Sequence, residues 1–132
     1  MLQTSARLKR YREVGVQTAS RGQILLALYD TAIRYAKSGA ESIRRGDVVA
    51  KGREIQRVSD IVGELSSTLD HSVAPELCER LEQIYFYMQE RLALANAAMD
   101  PEPAMEVSRL LGLLYEAWIE AVRQFENGTS GR

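Results

Sequence analysis

Thr18-Ala19-Ser20-Arg21-Gly22-Gln23-Ile24-Leu25-Leu26-Ala27-Leu28-Tyr29-Asp30-Thr31-Ala32-Ile33 is the stretch that decides the fold. Ser20 followed by Gln23 fits a capping box, in which the Ser hydroxyl takes a first-turn backbone N–H and Gln23 reaches back to the N–H of Ser20. The run that follows is apolar over most of a helix's circumference. Leu25, Leu28, Ala32 and Tyr35 make one stripe, and Leu26, Tyr29 and Ile33 make a second beside it. A helix of this kind has to be covered on several sides, so it is read as the element on which the others pack.

Outward from that stretch, punctuation signals divide the chain. The first helix is predicted over about Arg21 to Arg45, its end marked by Gly46, a residue free to adopt the left-handed conformation. Asp47 reads as the N-cap of the second helix. That helix carries Val48, Gly52, Ile55, Val58, Val62, Leu65 and Leu69 at steps of three or four, with Ile61 to the side. Asp70 to Ala74 form a loop, and Pro75 suits the first turn of a third helix. Its core stripe is Leu77, Leu81, Ile84, Met88, Leu92 and Ala95. Tyr85-Phe86-Tyr87 cannot all point inward, because neighbours on a helix stand about 100° apart. Phe86 or Tyr87 is therefore expected at the surface. Asp100-Pro101 starts a fourth helix with Val107, Leu111, Leu114, Trp118, Ala121, Val122 and Phe125 on its core face, and Asn127-Gly128 is read as its end.

Four helices joined by short links, with no period-two alternation, predict an all-α fold: an antiparallel up-down-up-down four-helix bundle with an N-terminal capping segment. The domain organisation expected is a leader over residues 1–19, the bundle over 20–127 and a flexible tail over 128–132. The leader interleaves Arg7, Lys9, Arg10 and Arg12 with Leu8, Tyr11, Val14 and Val16. It reads either as a loose terminus or as a segment whose Tyr11, Val14 and Val16 lie against the bundle.

Composition narrows the function. The chain's 132 residues suffice for one domain with a shared core. With 17 basic and 18 acidic residues the net charge is −1, which argues against a general polyanion binder, so no nucleic-acid partner is expected. No run approaches the ~20 apolar residues of a membrane span. No secretory signal stands at the N-terminus and Cys78 is the one cysteine, so the expected location is cytoplasmic.

Catalytic signals are weak. His71 is the one histidine and falls in a loop; Cys78 stands seven residues on, without metal-ligand spacing. No Glu-x-x-His pair occurs, which disfavours a di-iron bundle. Phosphate-binding glycine loops are absent as well. No catalytic, metal or cofactor residue is assigned, and a protein-binding role is expected rather than an enzyme.

Four segments carry a further signal. Val16-Gln17-Thr18-Ala19-Ser20 with Leu25 to Ile33, Ser59-Asp60-Ile61-Val62-Gly63-Glu64-Leu65-Ser66-Ser67-Thr68-Leu69, Tyr85-Phe86-Tyr87-Met88-Gln89-Glu90-Arg91-Leu92-Ala93-Leu94-Ala95-Asn96, and Leu110-Leu111-Gly112-Leu113-Leu114-Tyr115-Glu116-Ala117-Trp118 stand in order along the chain. Together they resemble the flagellar export chaperones of the FliS family. Arg21 departs from the Pro common after the Ser of that pattern, and Thr31 from a frequent Gly. The resemblance implies a cytoplasmic chaperone that binds the C-terminal segment of flagellin, prevents its premature polymerisation and supports type III export. Export-apparatus or co-chaperone proteins are further partners on this reading. A disordered client that folds on binding covers much surface, and amphipathic client helices fit apolar grooves. The groove expected here is built from Leu26, Tyr29, Ile33, Ile61, Leu65, Phe86 and Tyr87, with Tyr11, Val14 and Val16 as a displaceable cap. The alternative is a helical protein-binding adaptor or regulator with a different client.

Overall fold

The computed structural model describes residues 20–130, the last two by backbone alone. Ser20 caps the first helix, α1 (Arg21–Arg44), by accepting the Gln23 backbone N–H at 3.1 Å. The other half of the expected box is used differently. Gln23 donates its side-chain amide to Glu126 Oε1 at 3.3 Å, and the Ser20 hydroxyl donates to the same oxygen at 2.9 Å. The first turn of α1 is thus tied to the far end of the last helix.

At the other end of α1, Gly46 takes φ 72°. Its N–H donates to the Ile43 carbonyl and the Asp47 N–H to the Ser42 carbonyl, which is the Schellman closure. Asp47 then accepts the Ala50 N–H at 3.1 Å and starts α2 (Val48–Ser67). The end of α2 is set by hydroxyls: Ser67 donates to the Glu64 carbonyl and Thr68 to the Leu65 carbonyl. Pro75 opens α3 (Pro75–Ala98), which closes on Met99 in the left-handed region at φ 51°. Asp100 accepts the Glu102 N–H at 3.0 Å and starts α4 (Pro101–Ser130). The Asn127-Gly128 stop is not used: a glycine costs a helix only about 1 kcal/mol, and α4 continues through it to Ser130.

Among the described residues there are four helices and no strand. They form a four-helix bundle in which α1 packs closely on α2 and α4, and α3 packs on the same two more lightly. Small residues explain the close side. Ala32, Ala36 and Ala40 of α1 are fully buried, and a Cβ at Gly39 would stand 3.1 Å from Ile55 Cγ1. Around them sit Val58, Val62 and Leu65 of α2, Leu81, Met88 and Leu92 of α3, and Val107 and Leu111 of α4.

The stripes read from sequence are corrected in three places. On α1 the axis-facing line is Tyr29, Ala32, Ala36, Ala40 and Ile43, and Tyr35 is at the surface, where Arg57 stacks over its ring at 5.8 Å. Val48 and Leu77, each in the first turn of its helix, are exposed. Ala121 and Phe125 lie on the core side of α4 by periodicity yet are also exposed. Val48, Leu77 and Phe125 sit toward helix ends, where fewer neighbours remain to cover them.

Candidate binding surface

Burial sorts the residues expected to form a groove. Tyr29 is fully buried, and Ile61 and Leu65 are in the core beside it. These three do not line an open surface. Two adjacent stripes on a helix are within about 100° of each other, and only the neighbouring helices decide which one faces the axis. Leu26 and Ile33 are half-buried. Phe86 and Tyr87 remain at the surface, 66% and 42% exposed. Tyr11, Val14 and Val16 lie outside the described residues.

Tyr29 has a structural task that sequence reasoning missed. Its hydroxyl is hydrogen-bonded to the Tyr85 hydroxyl and accepts the Trp118 indole N–H at 3.0 Å. Burial pushes both tyrosine hydroxyls above their ordinary pKa, so they stay protonated and able to donate. The network joins α1, α3 and α4 through the middle of the bundle. The signal in the sequence was the trio of aromatic residues with polar tips on or beside core stripes.

Phe86 and Tyr87 face different neighbours of α3. Phe86 stands over a groove of about 750 Å³ between α2 and α3, with Val62, Gly63 and Tyr85 beneath it and Glu79 and Glu82 on the rim. Tyr87 faces α4, donating its hydroxyl to Glu106 Oε2 at 2.7 Å while Arg91 Nε donates to Glu106 Oε1 at 2.5 Å. The Tyr87 hydroxyl, and after it Arg91, holds the Glu106 carboxyl below its ordinary pKa. Further along the Glu106 face of α4 come Leu110 (half-buried) and Leu113 (67% exposed), at the i+4 and i+7 spacing that keeps residues on one side of a helix. Sequence reasoning left Leu113 out of the expected groove, and it did not single out Glu79 and Glu82 for a binding surface. Their signal is positional and needs the neighbouring helix to be known.

The described residues offer little to bind small ligands. No group of three or more His, Cys, Asp or Glu side chains among them could hold a metal ion. His71 Nε2 is 2.6 Å from Glu82 Oε1, and Cys78 Sγ is buried 3.4 Å from the Asp70 carbonyl. No helix among the described residues is long and apolar enough to cross a membrane.

A helical bundle whose α3 is flanked by bare aromatic and leucine side chains is suited to hold another chain. Comparison with known proteins agrees. Residues 4–125 match the family model described as flagellar protein FliS. The flagellar secretion chaperone FliS of Salmonella typhimurium (strain LT2) is 32% identical over 120 residues, covering 87% of this chain and 89% of the relative. That of Bacillus subtilis (strain 168) is 28% identical over 124 residues and 92% of each chain. That of Vibrio cholerae serotype O1 is 25% identical over 127 residues and 93% of each. Since the family model spans nearly the whole sequence, this protein belongs to the FliS family of flagellar secretion chaperones.

Proposed function

We propose that this chain binds the C-terminal segment of flagellin in the cytoplasm, prevents its premature polymerisation and supports type III flagellar export. The observation that carries this reading is the bare apolar surface on both sides of α3: Phe86 toward α2, Tyr87 and Leu113 along α4. Burying one such side chain under a client helix is worth roughly 1.5–3 kcal/mol, so a client that wraps α3 gathers several anchors at once. Leu26 and Ile33, half-buried on α1, extend the client surface to a third helix. Export-apparatus or co-chaperone proteins are further partners. The role is one of binding, with no reaction to catalyse.

The helices are taken to alternate in direction. Contacts that join the start of one helix to the end of the next support this: Ser20 with Glu126, Gly39 against Ile55, Lys51 with the Asn96 carbonyl, and Ser59 with Gln89. Residues 1–19 are taken as the leader, with Tyr11, Val14 and Val16 covering client surface until flagellin displaces them.

Co-purification with flagellin, and with flagellin lacking its C-terminal segment, tests the reading. Binding to the first alone is expected. Equal binding to both, or to neither, refutes it and leaves a helical adaptor with a different client.

A further inference from the structure

We propose that Asn127 is a site of slow covalent modification, deamidation through the Gly128 amide followed by water, and that the contact of Ser20 and Gln23 with Glu126 sets its rate.

The sequence carries two asparagines, Asn96 and Asn127, and both are exposed. Asn127 is the one followed by glycine. The reaction runs through the amide of the following residue. The Gly128 nitrogen gives up its proton and bonds to Asn127 Cγ. The Cγ–Nδ2 bond breaks, and Nδ2 leaves as ammonia carrying that proton. Water then opens the cyclic imide at either carbonyl, leaving aspartate or isoaspartate. Glycine has no Cβ to stand in the way of the attack. At Asn96 the next residue is Ala97, and Lys51 Nζ donates to the Asn96 carbonyl at 3.1 Å, which holds that turn.

The helix restrains the reaction at Asn127. Residues 127 and 128 lie inside α4, which runs on to Ser130. In a helix the N–H of Gly128 is bonded to the carbonyl four residues back, closing a ring over the residues between. Freeing that nitrogen requires residues 125–127 to leave helical geometry, and Glu126 is the middle one. Its Oε1 accepts the Ser20 hydroxyl at 2.9 Å and the Gln23 side-chain amide at 3.3 Å. The ends of helices open at little cost on their own, so this contact with the first turn of α1 is the restraint. The product sets a second carboxylate beside Glu126, at the negative end of the helix dipole. Isoaspartate also adds a methylene to the backbone. The modification thus releases the end of α4 from the start of α1, and does so one way.

The test incubates the full chain in mildly alkaline buffer. Peptide mass spectrometry follows both asparagines, and methyltransferase labelling detects isoaspartate. Product is expected at Asn127 and not at Asn96, at least about tenfold slower than in the urea-unfolded chain. Ser20→Asp with Gln23→Glu turns both donors into acceptors, while acidic residues suit the first turn of α1. That double variant should speed the folded-state reaction about fivefold and leave the rate in urea unchanged. Gly128→Ala, whose Cβ would meet nothing within 4 Å, should slow the reaction at least about tenfold in both states. A folded rate equal to that in urea, no product at Asn127, or an unchanged rate in the double variant overturns the proposal. So does product at Asn96 in step with Asn127, the mark of global unfolding.

Discussion

Tyr29→Phe should cost more stability than Tyr85→Phe, and the two changes together should cost little more than Tyr29→Phe alone. Tyr29 is the middle of the network, with Trp118 donating to it and Tyr85 bonded beside it. Removing its hydroxyl strands the Tyr85 hydroxyl, which is almost wholly buried, at about 1–3 kcal/mol. It also frees the Trp118 N–H, which is only half-buried and can turn to water, at about 0.5–1 kcal/mol. The total is about 1.5–4 kcal/mol. Tyr85→Phe leaves Tyr29 still bonded to Trp118, so the loss is about 1–1.5 kcal/mol. In the double variant no tyrosine hydroxyl is left without a partner, and the coupling energy is about 1–1.5 kcal/mol. Urea unfolding followed by circular dichroism gives the three values, and Trp118, the one tryptophan, gives a fluorescence reading from within the network. Additive losses, or a Tyr29→Phe loss under about 0.5 kcal/mol, would refute the reasoning. That second result would mean that Tyr29 lies at a surface, as its stripe alone implies.

Gly22→Ala puts a Cβ 2.7 Å from Val122 Cγ1, and overpacking of that kind should lower stability by about 1–3 kcal/mol against a smaller gain in helix propensity, read from the urea midpoint. Ser20→Ala removes a helix cap and a bond to Glu126, so a loss of about 1 kcal/mol is expected by the same measurement. Glu106 has a folded pKa below its ordinary 4.5, so its contribution is fully present above pH 4.5 and is lost as pH falls through the lower folded value. The stability gap between the wild type and Glu106→Gln should therefore be constant near neutral pH and shrink below about pH 4.5; a gap unchanged down to pH 3 would contradict this. Phe86→Glu should weaken flagellin binding about tenfold or more with the melting temperature kept, whereas Ile61→Glu, in the core, should unfold the bundle.

The caps were the most legible part of the fold. Ser20, Gly46, Asp47, Pro75 and Asp100-Pro101 act within a few residues of themselves, so each start and stop could be read without knowing any neighbour. The Asn127-Gly128 ending failed because a glycine terminates a helix only where the chain turns left-handed, and here it does not. Of the surface residues, Phe86 and Tyr87 were legible for a similar local reason: three aromatics in a row cannot share one face of a helix.

What the sequence determined by itself was four amphipathic helices, their approximate ends, an all-α fold and the resemblance that led to the family. These rest on periodicity and capping, which are properties of one helix at a time. Tertiary structure decided which of two adjacent stripes on α1 faced the axis. It took Tyr29, Ile61 and Leu65 into the core. It also set Phe86 of α3 against Val62 and Gly63 of α2 across the groove between the two helices. Periodicity fixes the angle of a side chain about its own helix, but its burial depends on how closely the next helix comes. That distance is set by residues far away in the chain, such as the small Gly39 and Ala40 that draw α2 in and leave α3 the more open side.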